Sequence, residues 1–332
     1  MRTHSFLAVA VLALGVRSGA QSAQLDPKLP AYKPVQGVSG SISSKGSDTM
    51  NNLMTLWTEG FKKHYPSVQV SMEGKGSGSA PPALVDGTAN FGCMSREMKQ
   101  DEIDKFEKAF GYKPVAVSTS IDTLAVFVHK DNPLQNLTLQ QIDAIFSKTR
   151  NGKFEKEIKT WGDLGLTGEW ASKPISLYGR NSSSGTYLYF KEHALFKGDF
   201  RDDVKEQPGS SSVVQAVSSD KFAIGYSGIG AKTDGVRAVP LATAAGKAPV
   251  EANMAHAYDG TYPMARLLYV YVNQKPGTEL DPLRREFIRY ILSKDGQSEV
   301  VKEGFFPLTA DMAVRALGSV GLKPMPMEAG SK

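Results

Sequence analysis

Cysteine is almost missing from this chain: Cys93 stands alone among 332 residues. A single thiol can close no internal disulfide, so the fold must be held by its core. No cysteine follows the N-terminal segment closely enough to carry a lipid, which argues against a lipoprotein anchor. Histidine is scarce as well, five residues in all, and no His-x-x-x-His or Cys-x-x-Cys spacing occurs. A zinc site of the usual kind is therefore not expected. Nor is charge of one sign concentrated. Lys and Arg number 39 against 34 Asp and Glu, a net of +5 with no basic run. Nucleic-acid binders cluster Lys and Arg with aromatics between them, and that pattern is lacking. Internal repeats are lacking too.

What is present reads as a globular, exported chain. Apolar residues make up 41% and glycines number 32, a folded rather than disordered composition. A chain this long buries a core easily, as two lobes. At the start, Arg2 precedes an apolar run from Phe6 to Val16, shorter than the ~20 residues that span a bilayer. Ser18-Gly19-Ala20 then supplies small residues for cleavage, with Ala23 as a second candidate. Residues 1–20 are thus read as a signal peptide, with an uncleaved anchor helix as the alternative, and the protein as periplasmic or secreted. Residues 21–40, with Pro27, Pro30, Pro34, Gly37 and Gly40, are read as a flexible leader.

From Ser41 the pattern alternates between strand and helix. Met50, Leu53, Met54, Trp57 and Phe61 form an amphipathic helical stripe, with Ser47 or Asp48 at its N-cap. Val68, Val70 and Met72 predict a strand, and Pro81-Pro82 opens a short helix. Phe91–Met94 predicts a strand; Ile103, Phe106 and Phe110 predict a helix stopped by Gly111. Val115–Val117 and Leu124–Val128 are read as two further strands, and Thr138 as the cap of a helix through Phe146. Later come strands at 175–178, 223–226, 236–241 and 267–272, a helix from Ser184 reaching Leu195, and another through Ile291. Such alternation signals α/β architecture with a largely parallel sheet.

Four loops place Ser, Thr or Gly between a strand and a helix: Gly46-Ser47-Asp48-Thr49, Gly76-Ser77-Gly78-Ser79, Ser95-Arg96, and Gly179-Arg180 through Gly185-Thr186. The first N–H groups of a helix lack intrahelical partners and carry partial positive charge. Glycine and small hydroxyl residues let an anion reach those groups. One such loop is usually only a helix cap; four, with two arginines among them, point to an anion site. The second loop is no Walker A motif, since no Gly-Lys-Ser/Thr closes it.

In order and spacing, Gly46-Ser47-Asp48-Thr49-Met50, Gly74–Ser79, Arg180–Thr186, Ala223-Ile224-Gly225-Tyr226 and Tyr262–Val270 resemble the phosphate-binding proteins of bacterial high-affinity phosphate importers. The resemblance runs from about Ile42 to Leu322. It implies an α/β, two-lobed, periplasmic-binding-protein-like flytrap with two crossover hinge strands, near 117–123 and 262–268. Lobe 1 would hold 41–118 and 266–332, and lobe 2 would hold 119–265. It further implies a monomer that captures inorganic phosphate and passes it to the membrane permease of an ABC importer, without cofactor or metal.

Carried over by residue, Ser47, Thr49 and Ser77 match first-lobe donors. Arg180 matches the arginine that pairs with phosphate, and Ser184, Gly185 and Thr186 match donors at a second-lobe helix. The chain departs from many members in carrying Ser95-Arg96 and Asn181-Ser182 where an aspartate is common. Asp48 is then the one acid in the four loops, either reading the ligand's proton or capping a helix. The expected site is Ser47, Asp48, Thr49, Ser77, Ser95, Arg96, Arg180, Ser184, Gly185 and Thr186. Rival readings are a sulfate or molybdate binder, an adhesin on the same fold, and a phosphatase or serine hydrolase using Ser184 or Ser77. The hydrolase would need a histidine base, and the four loops contain none.

Overall fold

The computed structural model describes residues 25–326, so the expected signal peptide lies outside the described residues. The chain alternates as its pattern requires. Strand β1 (Ser41–Gly46) leads to helix α1 (Asn51–His64), then β2 (Gln69–Glu73) and α2 (Ala80–Val85). Next come β3 (Phe91–Met94), α3 (Gln100–Phe110), β4 (Val115–His129), β5 (Leu137–Thr138) and α4 (Leu139–Phe146). After a long irregular stretch follow β6 (Ser176–Arg180), α5 (Gly185–His193), β7 (Lys205–Gln207), α6 (Ser210–Ser219) and β8 (Ala223–Gly228). The chain closes with β9 (Val236–Ala238), β10 (Leu241–Ala242), α7 (Met254–Tyr258), β11 (Ala265–Val272), α8 (Pro282–Ile291), α9 (Lys294–Lys302) and α10 (Ala310–Ser319).

Several local signals act where the sequence puts them, although α1 begins at Asn51 behind Met50 and neither Ser47 nor Asp48 caps it. All five apolar residues of the first stripe are buried around α1. Thr138 and Gln141 form a reciprocal capping box on α4. Gly111 takes the left-handed conformation that ends α3. Three expectations are corrected. Residues 115–129 form one continuous strand rather than two, because Ser118, Ser120, Asp122 and Thr123, polar in sequence, keep pairing with β11. Helix α5 ends at His193, short of Leu195, and the expected strand over 236–241 is split between β9 and β10.

Strand order is β2-β1-β3-β11-β4-β8-β6-β7, with β9 also on β4. Pairing is parallel at both ends, in β2-β1-β3 and in β8-β6-β7. It is antiparallel in the middle, where β11 meets β3 and β4, and β4 meets β8. The two halves have separate cores. Trp57, Phe61, Phe91, Val117, Ile121, Leu268 and Phe287 belong to the first, whereas Leu124, Val126, Phe146, Trp161, Phe190, Tyr226, Tyr262 and Met264 belong to the second. The first core therefore reaches past residue 118 to Ile121 along β4. Strands β4 and β11 run through both halves, and the clefts at the carboxyl ends of the parallel strands face each other across them.

The flexible-leader expectation is also corrected for its described part. Leu29, Tyr32 and Val38 are buried in the first core. The Tyr32 hydroxyl meets that of Tyr65 at 2.7 Å and donates to Glu286 at 3.1 Å, and its ring stands edge-on to Tyr290. Pro30 accepts a hydrogen bond from Lys294 N. The prolines thus stiffen a strap whose apolar residues reach inward. Tyr32→Ala is expected to lower unfolding free energy by about 3–5 kcal/mol, as for other buried aromatic truncations. Urea denaturation of the two proteins checks this, and an unchanged midpoint would mean that the strap does not contribute.

Candidate functional site

The four sequence loops converge where the two halves meet. Ser47 and Thr49, between β1 and α1, are buried, as are Ser77 before α2 and Ser95 after β3. The Ser77 hydroxyl lies 3.2 Å from that of Ser95 and accepts from Ser95 N at 3.0 Å. From the other half, Ser184 caps α5 by accepting from Thr186 N at 3.1 Å and Tyr187 N.

The halves touch directly. Thr49 Oγ1 and Thr186 Oγ1 are 3.0 Å apart, and Gly78 N donates to Ser183 O at 3.1 Å. Glycine is required for this approach. A Cβ at Gly185 would lie 2.4 Å from Ser77 Oγ and 2.6 Å from Ser95 Oγ. One at Gly76, whose φ is +109°, would lie 2.6 Å from Ser183 O.

Arg180 sits at the end of β6 with only 2% of its surface exposed. Its Nη1 donates to Ser210 Oγ at 3.0 Å and its Nη2 to Pro208 O at 3.2 Å, while Nε has no partner. Asp48, from the other half, pairs with Nη2 at 3.3 Å. Burial draws the guanidinium below its ordinary pKa, Asp48 opposes the shift, and the charge of Arg266 adds to it. The cluster thus buries a guanidinium with an open donor among small hydroxyl residues, a setting that favours a compact anion.

Asp48 caps a helix, though not the one it precedes in sequence. Its Oδ2 accepts from Ser210 N at 3.0 Å, so it caps α6 of the opposite half. A cleft of about 290 Å³, lined by Asp48, Thr49, Ser210 and Glu303 among others, opens beside it.

Arg96 is held for another purpose. Glu102, six residues on, grips it bidentately, with both N···O distances 2.7 Å, and Arg96 Nη1 also donates to Glu97 O. It therefore anchors the start of α3, and of the two arginines in the four loops it is Arg180 that pairs with Asp48. Glu102, outside the four loops, satisfies it instead.

Three residues escaped the sequence reading. Ser210 opens α6 within Pro208-Gly209-Ser210-Ser211-Ser212, the same small-residue pattern as the other loops. The preceding strand, Lys205-Glu206-Gln207, carries no apolar signal to reveal the junction. Asp122 and Arg266 face each other across β4 and β11, are 0% and 6% exposed, and form an ion pair at 2.7 Å. A lone charge inside each apolar strand was their available signal. Among the described residues, no group of His, Cys, Asp and Glu could hold a metal ion, and no helix is long and apolar enough to cross a membrane.

Two α/β halves joined by paired through-strands, with facing donors between them, define a receptor of the periplasmic-binding-protein type. The chain belongs to that group: the model of the PBP superfamily domain matches residues 32–295. It is 56% identical over 315 residues to the phosphate-binding protein PstS of Pseudomonas aeruginosa, covering 95% of this chain and 98% of that protein. It is 31% identical to PstS of Staphylococcus haemolyticus, over 78% of each. A solved Clostridium perfringens substrate-binding protein with bound phosphate superposes with a TM-score of 0.69 at 27% identity, covering 81% of this chain and all of that one.

The two arginines differ in what they do for the ligand-free fold. Nε is unpartnered in both, but Arg96 is gripped bidentately by Glu102 at 2.7 Å, whereas Arg180 meets Asp48 through one nitrogen at 3.3 Å. Arg96→Gln is expected to lower unfolding free energy by about 1–3 kcal/mol, and Arg180→Gln by less. Chemical denaturation without added anion checks the order, and a larger loss for Arg180→Gln would reverse the assignment.

Proposed function

We propose that this protein captures inorganic phosphate between its two halves and delivers it to the membrane permease of an ABC importer, acting as an exported monomer. The observation that carries the reading is Arg180: a guanidinium 2% exposed, with Nε unpartnered, beside Ser184, Gly185 and Thr186 at the start of α5 and facing Thr49 of the other half. A buried cation with open donors gains most from an anion that fits among them. The names of the relatives support phosphate as that anion.

Donors come from both halves: Ser47, Thr49, Ser77 and Ser95 from one, Arg180, Ser184, Gly185 and Thr186 from the other. Micromolar affinity corresponds to about −8 kcal/mol. Hydrogen bonds to a charged group contribute roughly 1.5–3 kcal/mol each, so a set this size suffices after desolvation of the ion. The loop pattern also put Arg96 among these residues, at a position where the chain departs from the family. Its bond to Glu102 makes its part indirect, through the placement of Ser95. Asp48 has two tasks in this reading. It clasps α6 across the cleft, and it offers a carboxylate that accepts the proton of hydrogen phosphate and repels sulfate, which carries none.

Hydrolysis is the weaker reading. The hydroxyls of Ser77 and Ser184 meet Ser95 and the amides of Thr186 and Tyr187, and among the described residues no histidine partners either. Calorimetric titration with phosphate, arsenate and sulfate tests the proposal. Wild type binds phosphate, Arg180→Ala weakens it by about 2–4 kcal/mol, and Asp48→Asn retains phosphate but admits sulfate. Arg180→Ala binding within twofold of wild type would show the site to be misplaced. An Asp48→Asn variant that still ignores excess sulfate would reduce Asp48 to its clasp.

A further inference from the structure

We propose that Arg266, carried by the hinge strand β11, is a second guanidinium that binds the anion and sets a preference for doubly charged ligands. The proposal rests on the phosphate reading above. Arg266 is 6% exposed as a residue and its side chain 2%. Asp122, its direct partner on β4, takes both Nε, at 3.0 Å, and Nη2, at 2.7 Å, on the single oxygen Oδ2. The other carboxylate oxygen accepts from Ile229 N at 3.1 Å. This grip on one edge of the fork leaves Nη1 buried and without a partner.

The direction of the free edge follows from the rest of the group. Nη2 also donates to Thr186 Oγ1 at 2.9 Å, the hydroxyl that meets Thr49 Oγ1 from the opposite half. Thr186 is the residue at the start of α5 where the donor set gathers. The guanidinium lies over the Tyr189 ring at 5.4 Å, so its other flank is closed by an aromatic face. Arg180 and Arg266 sense each other's charge across the cluster. Two buried like charges repel, and each retains an open N–H. An anion between them relieves both conditions at once.

The consequence is specificity for charge. Phosphate gains its second negative charge close to neutral pH. A site with two guanidinium groups favours the dianion over the monoanion more strongly than a site with one. The charged or titratable groups facing Arg266 are Asp122 from β4, Tyr189 from α5 and, across the cluster, Arg180 with its partner Asp48. Burial pushes Tyr189 up to about 12, so it stays neutral over the range of interest. Asp122 acts as the positioning residue that fixes which edge of the fork remains open.

The test is phosphate titration from mildly acidic to mildly alkaline pH on the full chain. Arg266→Gln is combined with Asp122→Asn so that no buried carboxylate is left alone. Loss of one charged donor predicts at least about a tenfold fall in alkaline affinity. The rise in affinity from acid to alkaline pH should also flatten, which a merely structural loss would not produce. Arg266→Lys keeps the charge opposite Asp122 but loses the fork; it should bind at least about tenfold more weakly while retaining the pH slope. That variant decides the matter if the neutral pair does not fold. Either variant binding within about threefold of wild type, or a neutral pair with an unaltered pH slope, overturns the assignment. A wild-type protein that takes up no phosphate overturns the functional reading, and this proposal with it; wild-type binding with unaffected variants overturns this proposal alone.

Discussion

The antiparallel pairing of β4 with β11 is the constraint on which the rest of the structure depends. Register along these strands runs from Val115 opposite Val272 to Thr123 opposite Ala265, with one irregularity between Leu268 and Tyr269. At one end Val117 and Val270 enter the first core; at the other Leu124 and Met264 enter the second. The pairing joins two independently packed halves and fixes which strand ends face each other. A one-residue slip would exchange core-facing and cleft-facing side chains. It would also separate Asp122 from Arg266, whose alignment depends on that register.

Around this axis the molecule buries two guanidinium groups where charge is expensive to bury. Arg180 and Arg266 are each held by one carboxylate, from the opposite half for Arg180 and from the paired strand for Arg266. Each retains an unpartnered nitrogen. Arg96, whose Nε is also unpartnered, differs in having both terminal nitrogens engaged by one carboxylate, that of Glu102. Two guanidinium groups with open donors in one cleft are how a binding site keeps affinity in reserve for its ligand.

Most helices, and some of their ends, were legible because periodicity and capping are local. The α1 stripe, the Thr138 cap and the Gly111 stop each follow from a few neighbouring residues. So were four of the site's loops, since Ser and Gly at a strand-to-helix junction have a local purpose. What could not be read depended on partners distant in sequence. Ser118 to Thr123 look like a break until β11 supplies the pairing. The strap around Tyr32 looks loose until Glu286, Tyr290 and Lys294 return to meet it. Asp48 caps Ser210, 162 residues away, and no local rule anticipates a cap supplied by the opposite half. Glu102 is nearer, yet it bonds Arg96 only because α3 turns back over the loop.

Closure of the two halves around phosphate is the central claim, and the contacts between Thr49 and Thr186, Asp48 and Ser210, and Gly78 and Ser183 are those a closed form would make. Small-angle X-ray scattering on the purified protein, with and without saturating phosphate, measures it most directly. The account predicts a smaller radius of gyration with phosphate, as the through-strands flex and the halves come together. An identical scattering profile at saturation would contradict it.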